Sequence, residues 1–406
     1  MRLVAVTGPR QTGKTIMVLQ ALSDLEKDGV PCWYLPVDDP TPDTPPFDIP
    51  PVAHVLIPGQ TPGPEWLVSS WQRARAAAER SSRGLVMVFD EIQRIPNWSG
   101  IVKGLWDRDR RTGCPLRVVI LGSAPWAMLT RIHESLAGRF DPFPVVHWSL
   151  DEMQRAFGVT LDEYIFFGGY PGAAIHIREP RRWRGYIRQA VMAPVVERDI
   201  LSLTRVQKPS LMRALVDLIA DYSGQVVSYR KLQGQLDDAG NTTTLAHYLD
   251  LLADAGLATG LEKHSAKPYL VRRSSPKLNV LNAAVMTVRY PRSFEHVKYD
   301  GTFWGRLCES VVGAHLLNTL PQDGTVQLRY WRDATHEVDF VLSSGRSLVA
   351  IEVKSGRRQG RFAGLTAFRA RFPNAKPLVV GTGGVPFNEF LSESADHWLE
   401  EAHRGG

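Results

Sequence analysis

Three cysteines in 406 residues, Cys32, Cys114 and Cys308, stand far apart and match no zinc-ligand spacing. That excludes a disulfide scaffold and a cysteine zinc site, and it fits a cytosolic protein with reduced thiols. Lysine is scarce as well: 11 of the 48 basic residues, against 37 arginines. No apolar run approaches the roughly 20 residues of a membrane-spanning helix, so no membrane partner is expected. The apolar run from Leu3 enters a core strand at once, which leaves no room for a secretion signal. Neither sign of charge dominates; a net +6 permits a nucleic-acid partner without requiring one. With 44% hydrophobic and 22% charged residues the chain reads as ordinary globular protein, long enough for two to four domains.

What the sequence does have begins almost at once. Gly8-Pro9-Arg10-Gln11-Thr12-Gly13-Lys14-Thr15 has the pattern G-x-x-x-x-G-K-T. An apolar strand-like run, Leu3 to Thr7, precedes it, and a helix-like run beginning at Ile16 follows. This is the setting of a phosphate-binding loop, whose backbone N–H groups and helix N-terminus face an anion. Lys14 would reach the β- and γ-phosphates of ATP, and Thr15 would hold Mg²⁺. The continuous apolar run Leu85 to Phe89 suits a strand buried on both faces of a parallel sheet, and it ends in Asp90-Glu91. Acids at that strand end suit a Mg²⁺-organising carboxylate, Asp90, and a general base for water, Glu91.

Residues 1–150 alternate strand and helix, with strands expected at 3–7, 32–37, 85–89, 117–121 and 144–148. Nine prolines between 40 and 64 exclude a regular helix or a central strand there. Ser123, after the fourth strand, is either a γ-phosphate sensor or a turn residue following Gly122. Arg139 is either an arginine finger completing a neighbouring subunit's site or a solvated helix-end arginine.

Residues 151–207 read as a helical lid or linker. Within it, Arg178, Arg181, Arg182, Arg184 and Arg188 alternate with Trp183 and Tyr186, which suits either nucleic acid or a solvated amphipathic helix. Residues 208–290 read as three short helices and a hairpin, a winged-helix layout. Its helix from Thr242 would enter a DNA groove or contact a protein. In residues 291–406, Asp339 on one strand and Glu352 and Lys354 on the next converge by alternation. Two carboxylates and a lysine can bind a divalent cation and activate water for phosphodiester cleavage, with Glu309 as a further ligand.

Taken together, these motifs resemble the bacterial and archaeal AAA-type ATPases joined to a C-terminal domain of unknown function. The resemblance rests on the phosphate loop, Phe89-Asp90-Glu91-Ile92-Gln93, Gly122-Ser123, Ser135 to Arg139, Gly168-Gly169-Tyr170-Pro171, Glu337 to Phe340 and Ile351 to Lys354. It implies an α/β fold: a P-loop ATPase with a parallel sheet, a helical lid, a winged-helix segment and a C-terminal domain similar to PD-(D/E)xK nucleases. Nucleotide contacts are expected from Gly8 through Ile16, with catalytic roles for Lys14, Glu91, Ser123, Arg139 and Lys354. Metal ligands are expected at Thr15 and Asp90, and at Glu309, Asp339 and Glu352. The expected protein is a cytoplasmic Mg²⁺-ATPase acting on duplex or branched DNA, and a homo-oligomer, with a hexameric ring among its arrangements. An ATP-gated nuclease and a signalling switch that binds a protein partner are the alternatives.

Overall fold

Strand β1 (Leu3–Thr7) is too apolar to face water on either side, and it is covered on both faces. In the computed structural model the chain is described over residues 3–38, 53–54, 61–122, 136–201, 206, 208–236, 241–266, 274–356 and 362–404. It forms two compact units, Met1–Val146 and His147–Gly406. Among the described residues, no helix is long and apolar enough to cross a membrane.

The first unit is a three-layer α/β sandwich. Its sheet contains β1, β2 (Cys32–Pro36), β3 (Ala53–His54), β4 (Leu85–Asp90), β5 (Leu116–Leu121) and β6 (Asp141–Pro144) in the order β3-β2-β4-β5-β1-β6. Every pairing is parallel. Helix α1 (Lys14–Lys27) covers one face, through Val18, Leu19 and Leu22 against Val6, Val86, Val88 and Leu121. Helices α2 (Pro64–Arg80) and α3 (Trp98–Thr112) cover the other with Trp66, Trp71, Trp98 and Trp106. Buried Asp109 on α3 ties these helices together, accepting from Trp71 Nε1 at 2.7 Å and from Arg75.

The fifth expected strand is displaced. It was expected at 144–148 but runs over Asp141–Pro144, exposed along its whole length at the sheet edge. An edge strand has no buried face to impose alternation, and it tolerates Pro142 and Pro144 because it needs fewer ladder donors. The proline-rich excursion supplies only the two-residue edge strand β3 among its described residues.

The second unit begins with α4 (Leu150–Phe157) and α5 (Leu161–Phe167), each opened by a reciprocal capping box, Ser149 with Glu152 and Thr160 with Glu163. Helix α6 (Pro180–Tyr186) buries Trp183 against Phe166 and Phe167. Three helices follow: α7 (Pro209–Tyr222), α8 (Tyr229–Gln233) and α9 (Thr242–Asp254). The antiparallel pair β7 (Ala258–Leu261) and β8 (Lys277–Val280) comes next. Helix α10 (Gly301–Asn318) packs on β8, and its Gly313 lies where a side chain would strike Asn279 and Phe340.

The second sheet comprises β9 (Gln327–Arg332), β10 (Glu337–Ser344), β11 (Ser347–Lys354) and β12 (Lys376–Gly381), in the order β12-β11-β10-β9. Helix α11 (Ala363–Arg371) closes one of its faces. The β9–β10 register shifts between Val338 and Val341, so a bulge falls at Asp339 and Phe340. Such a bulge re-aims a side chain.

Candidate functional sites

The phosphate loop joins β1 to α1, and its backbone needs conformations that few side chains permit. Gly8 has φ 149° and Gly13 φ 84°. A Cβ on Gly8 would run into the carbonyl of Val145, whose N–H donates to Thr7 O at 2.7 Å. Thr12 Oγ1 donates to Pro9 O at 2.9 Å, closing the loop on itself. Lys14 is buried, and its Nζ donates to Gly8 O at 3.0 Å and Pro9 O at 2.6 Å. These carbonyls stand in for phosphate oxygens, so the ammonium is already held over the loop.

Across the sheet, Thr15 Oγ1 donates to Asp90 Oδ2 at 2.8 Å. The same oxygen accepts from Tyr34 OH at 2.6 Å. Burial first, and the Asp90 carboxylate second, push the Tyr34 hydroxyl above the ordinary phenol range, so it remains a donor. A hydroxyl and a carboxylate oxygen this close, beside the phosphate loop, are a donor pair that could hold Mg²⁺ alongside phosphate oxygens and water. Glu91 adopts φ 56°, a left-handed conformation unusual outside glycine, and its carboxylate accepts from Gln93 Nε2. The strand order puts β5 between β1 and β4, which brings Gly122 to the row between the loop and Asp90. Ser123 itself lies outside the described residues.

Arg139 is not a loose side chain. Its Nε donates to Asp107 Oδ1 at 2.8 Å and its second terminal nitrogen to Asp107 Oδ2 at 3.3 Å, a two-pronged pair with α3 of its own unit. That contact holds the Asp107 carboxyl below its usual range.

Residues 1–154 match the family described as AAA domain. With the phosphate loop and the Asp90 strand end, this defines residues 1–154 as an AAA-type P-loop ATPase domain, and the enzyme is an ATP hydrolase. Residues 159–288 and 304–390 match two families, each described as a domain of unknown function (DUF8612 and DUF4143). Among solved structures, the chain is similar to the Thermotoga maritima Holliday junction branch migration motor RuvB, at 17% identity and TM-score 0.30, covering 68% of this chain and 88% of that one. Aeropyrum pernix ORC1 in complex with DNA matches at 13% identity and TM-score 0.25, over 74% of this chain and 88% of that one. AMPPCP-bound DnaA from Aquifex aeolicus matches at 13% identity and TM-score 0.29, over 62% and 73%. No curated protein matches the sequence.

Two of the five expected DNA-facing arginines are engaged with carbonyls of the second unit, while Arg178, Arg181 and Arg182 are exposed. Arg184 donates to the carbonyls of Tyr290 at 2.8 Å and Arg292 at 2.7 Å, and Arg188 to that of Val288 at 3.3 Å. Trp183 is core. The exposed residues of α9 are Thr242, Thr243, His247 and Asp250, and the helix carries neither lysine nor arginine.

The C-terminal cluster assembles as alternation predicts, with one change of occupant. Asp339 lies one step beyond the Phe340–Ile351 pair, beside Glu352. Its Oδ2 accepts from Val353 N at 2.8 Å. Lys354 Nζ donates to Glu352 Oε1 at 2.6 Å. Glu309 on α10 reaches the same spot, but there it meets Lys277 of β8. Lys277 is wholly buried; its Nζ contacts Glu309, donates to Asp339 O at 3.1 Å, and lies 3.6 Å from carboxylate oxygens of both Glu337 and Asp339. Of the expected ligands, Glu309 is thus paired with Lys277, while Asp339 and Glu352 lie side by side. Among the described residues no three acids, histidines or cysteines are arranged to hold a metal.

Burial alone would lower the Lys277 pKa, but Glu309, Asp339 and Glu337 more than reverse this and keep it charged. Burial, then Asp339, pushes Glu309 up to about 8. Burial raises Glu352 as well. Sequence reasoning missed Lys277 and Glu337. The available signal was Lys277-Leu278-Asn279-Val280, a strand buried at all four positions that nevertheless holds a lysine and an asparagine. The two share one face, where Asn279 Nδ2 donates to Ser310 O at 3.1 Å on α10.

Proposed function

We propose that the protein is a Mg²⁺-dependent ATPase that acts on DNA as a homo-oligomer, moving or remodelling duplex or branched DNA. The Thr15–Asp90 contact carries the enzymatic half of this reading. In turnover, Lys14 leaves the Gly8 and Pro9 carbonyls for the β- and γ-phosphates, while the loop N–H groups orient them. Glu91 takes the proton of the attacking water. Ser123, after β5, would act as γ-phosphate sensor in this reading. Thr15 and Asp90 would hold Mg²⁺, which when bound would offset the negative charge that develops on the phosphates.

The DNA half is supported by the order α7, α8, α9, β7, β8, the order a winged-helix module would have, and by the net +6 charge. A second reading, an ATP-driven switch that grips a protein, is favoured by the lack of basic residues on α9. ATP hydrolysis measured without DNA and with single-stranded, duplex and branched DNA separates the two. The DNA reading expects stimulation by duplex or branched DNA that fades as salt rises, because phosphate contacts release counterions. An unchanged rate, with no binding to any DNA at low salt, would leave the protein-partner switch standing.

A further inference from the structure

We infer that the ammonium of Lys277 is the resident cation of the C-terminal acidic cluster, a built-in replacement for a divalent metal. The domain therefore holds its ligand without metal-dependent cleavage. The inference does not depend on what that ligand is.

Four carboxylates, the buried Glu352 and the half-buried Glu309, Glu337 and Asp339, meet around the buried Lys277 and the half-buried Lys354. Left alone, that many acids would need a cation to fold together. Two are supplied by the chain. Lys354 takes Glu352, and Lys277 takes the other three. Lys277 is wholly shielded from solvent, and its charge also lies 4.9 Å from the centre of the Phe340 ring. The site was built around this ammonium rather than visited by it.

A hydrated Mg²⁺ or Mn²⁺ does not fit the same space. It requires oxygens at about 2.0–2.2 Å in near-octahedral array. Oxygens of Glu309, Glu337 and Asp339 that would supply them already lie against Nζ, and Glu352 Oε1 is taken by Lys354. One Asp339 oxygen is further engaged by the Val353 N–H, at the place where a metal would want an acceptor. Bringing in the metal means displacing a buried charge of the same sign.

The test is Mn²⁺ binding to the full chain in an Asp90→Asn background without nucleotide, which silences the phosphate-loop site. Electron paramagnetic resonance counts bound metal. The cluster with Lys277 intact should bind no Mn²⁺ at millimolar concentration. Lys277→Met keeps the stem and removes the charge; it should gain one Mn²⁺ per chain and lose it again when Asp339→Asn is added. Its thermal midpoint should rise with Mn²⁺, whereas that of the Lys277 chain should not move. If Lys277→Met does not fold in either buffer, Lys277→Met combined with Glu337→Gln, which leaves one fewer uncompensated acid, enters the same titration. Mn²⁺ bound with Lys277 in place and lost in Asp339→Asn would overturn the inference. So would a folded Lys277 variant that gains no metal, or metal-dependent DNA nicking abolished by Asp339→Asn. None of these readouts depends on DNA-stimulated ATP hydrolysis, so this inference and the DNA reading can fail separately.

Discussion

Glu91 shows how much a single residue can carry at the end of a strand. Its left-handed backbone turns the chain away from β4 directly after Asp90, so two adjacent acids leave the strand in different directions. Asp90 remains with Thr15 and Tyr34, while Glu91 engages Gln93. Glu91→Gln should bind ATP as the parent does and turn it over about 10²–10⁴-fold more slowly, as expected for loss of a general base. Stopped-flow binding beside steady-state hydrolysis checks this; a variant with the parental rate removes the assignment. A second residue sets a pH dependence. His264 packs 5.0 Å from the Phe372 ring and 5.8 Å from Phe368. Burial, with help from Arg329, depresses it from 6.5 to about 4. The folded state prefers neutral His264, so its contribution to stability is full above the unfolded value of 6.5. It is lost as pH falls from there towards 4. Thermal midpoints of the parent should therefore fall more steeply between pH 7 and 5 than those of His264→Phe. Parallel curves would show that His264 titrates normally.

At the scale of elements, legibility followed sequence distance. The phosphate loop, β4 and its two acids were readable because the whole signal lies within a few consecutive residues. The β10–β11 hairpin was readable because a short turn fixes its register. β6 was not, because an exposed edge strand has no apolar alternation to betray it. The roles of Arg184 and Arg188 were not, because their carbonyl partners lie 100 to 108 residues away. Asp109 likewise reads as one charge in the Asp107-Arg108-Asp109-Arg110 run of a surface helix. In the structure it is completely buried and is the polar bond between α2 and α3. Asp109→Ala would strand Arg75 and the Trp71 N–H, and should cost about 3–5 kcal/mol, as breaking a buried pair does. Urea unfolding of the full chain measures it, and a loss under about 1 kcal/mol would mean that the helices are held by their tryptophans alone.

For the whole molecule, the open question about hydrolysis is whether one chain suffices. Arg139 is paired with Asp107 of its own unit, and to act on a neighbour's nucleotide it would have to release that partner. The trans role predicts that Arg139→Ala lowers hydrolysis more than ATP binding. It also predicts that mixing Arg139→Ala with Lys14→Ala chains restores part of the activity, since each supplies what the other lacks. Full turnover by a monomer, with no recovery on mixing, would make Arg139 a clamp on α3 and nothing more.

Lys277 lies within the stretch matching one family, and its acid partners lie within the stretch matching another. Neither stretch is chemically complete alone. A fragment beginning at residue 291 would carry four acids and only Lys354 to answer them, while its complement would carry a lysine with nothing to neutralise. Such segments should not shuffle freely between proteins, since a recombination that replaced one would expose the unmatched charge of the other. The two stretches are thus expected to be inherited together. In related chains, a neutral residue at the position of Lys277 should be accompanied by the loss of an acid at 309, 337 or 339.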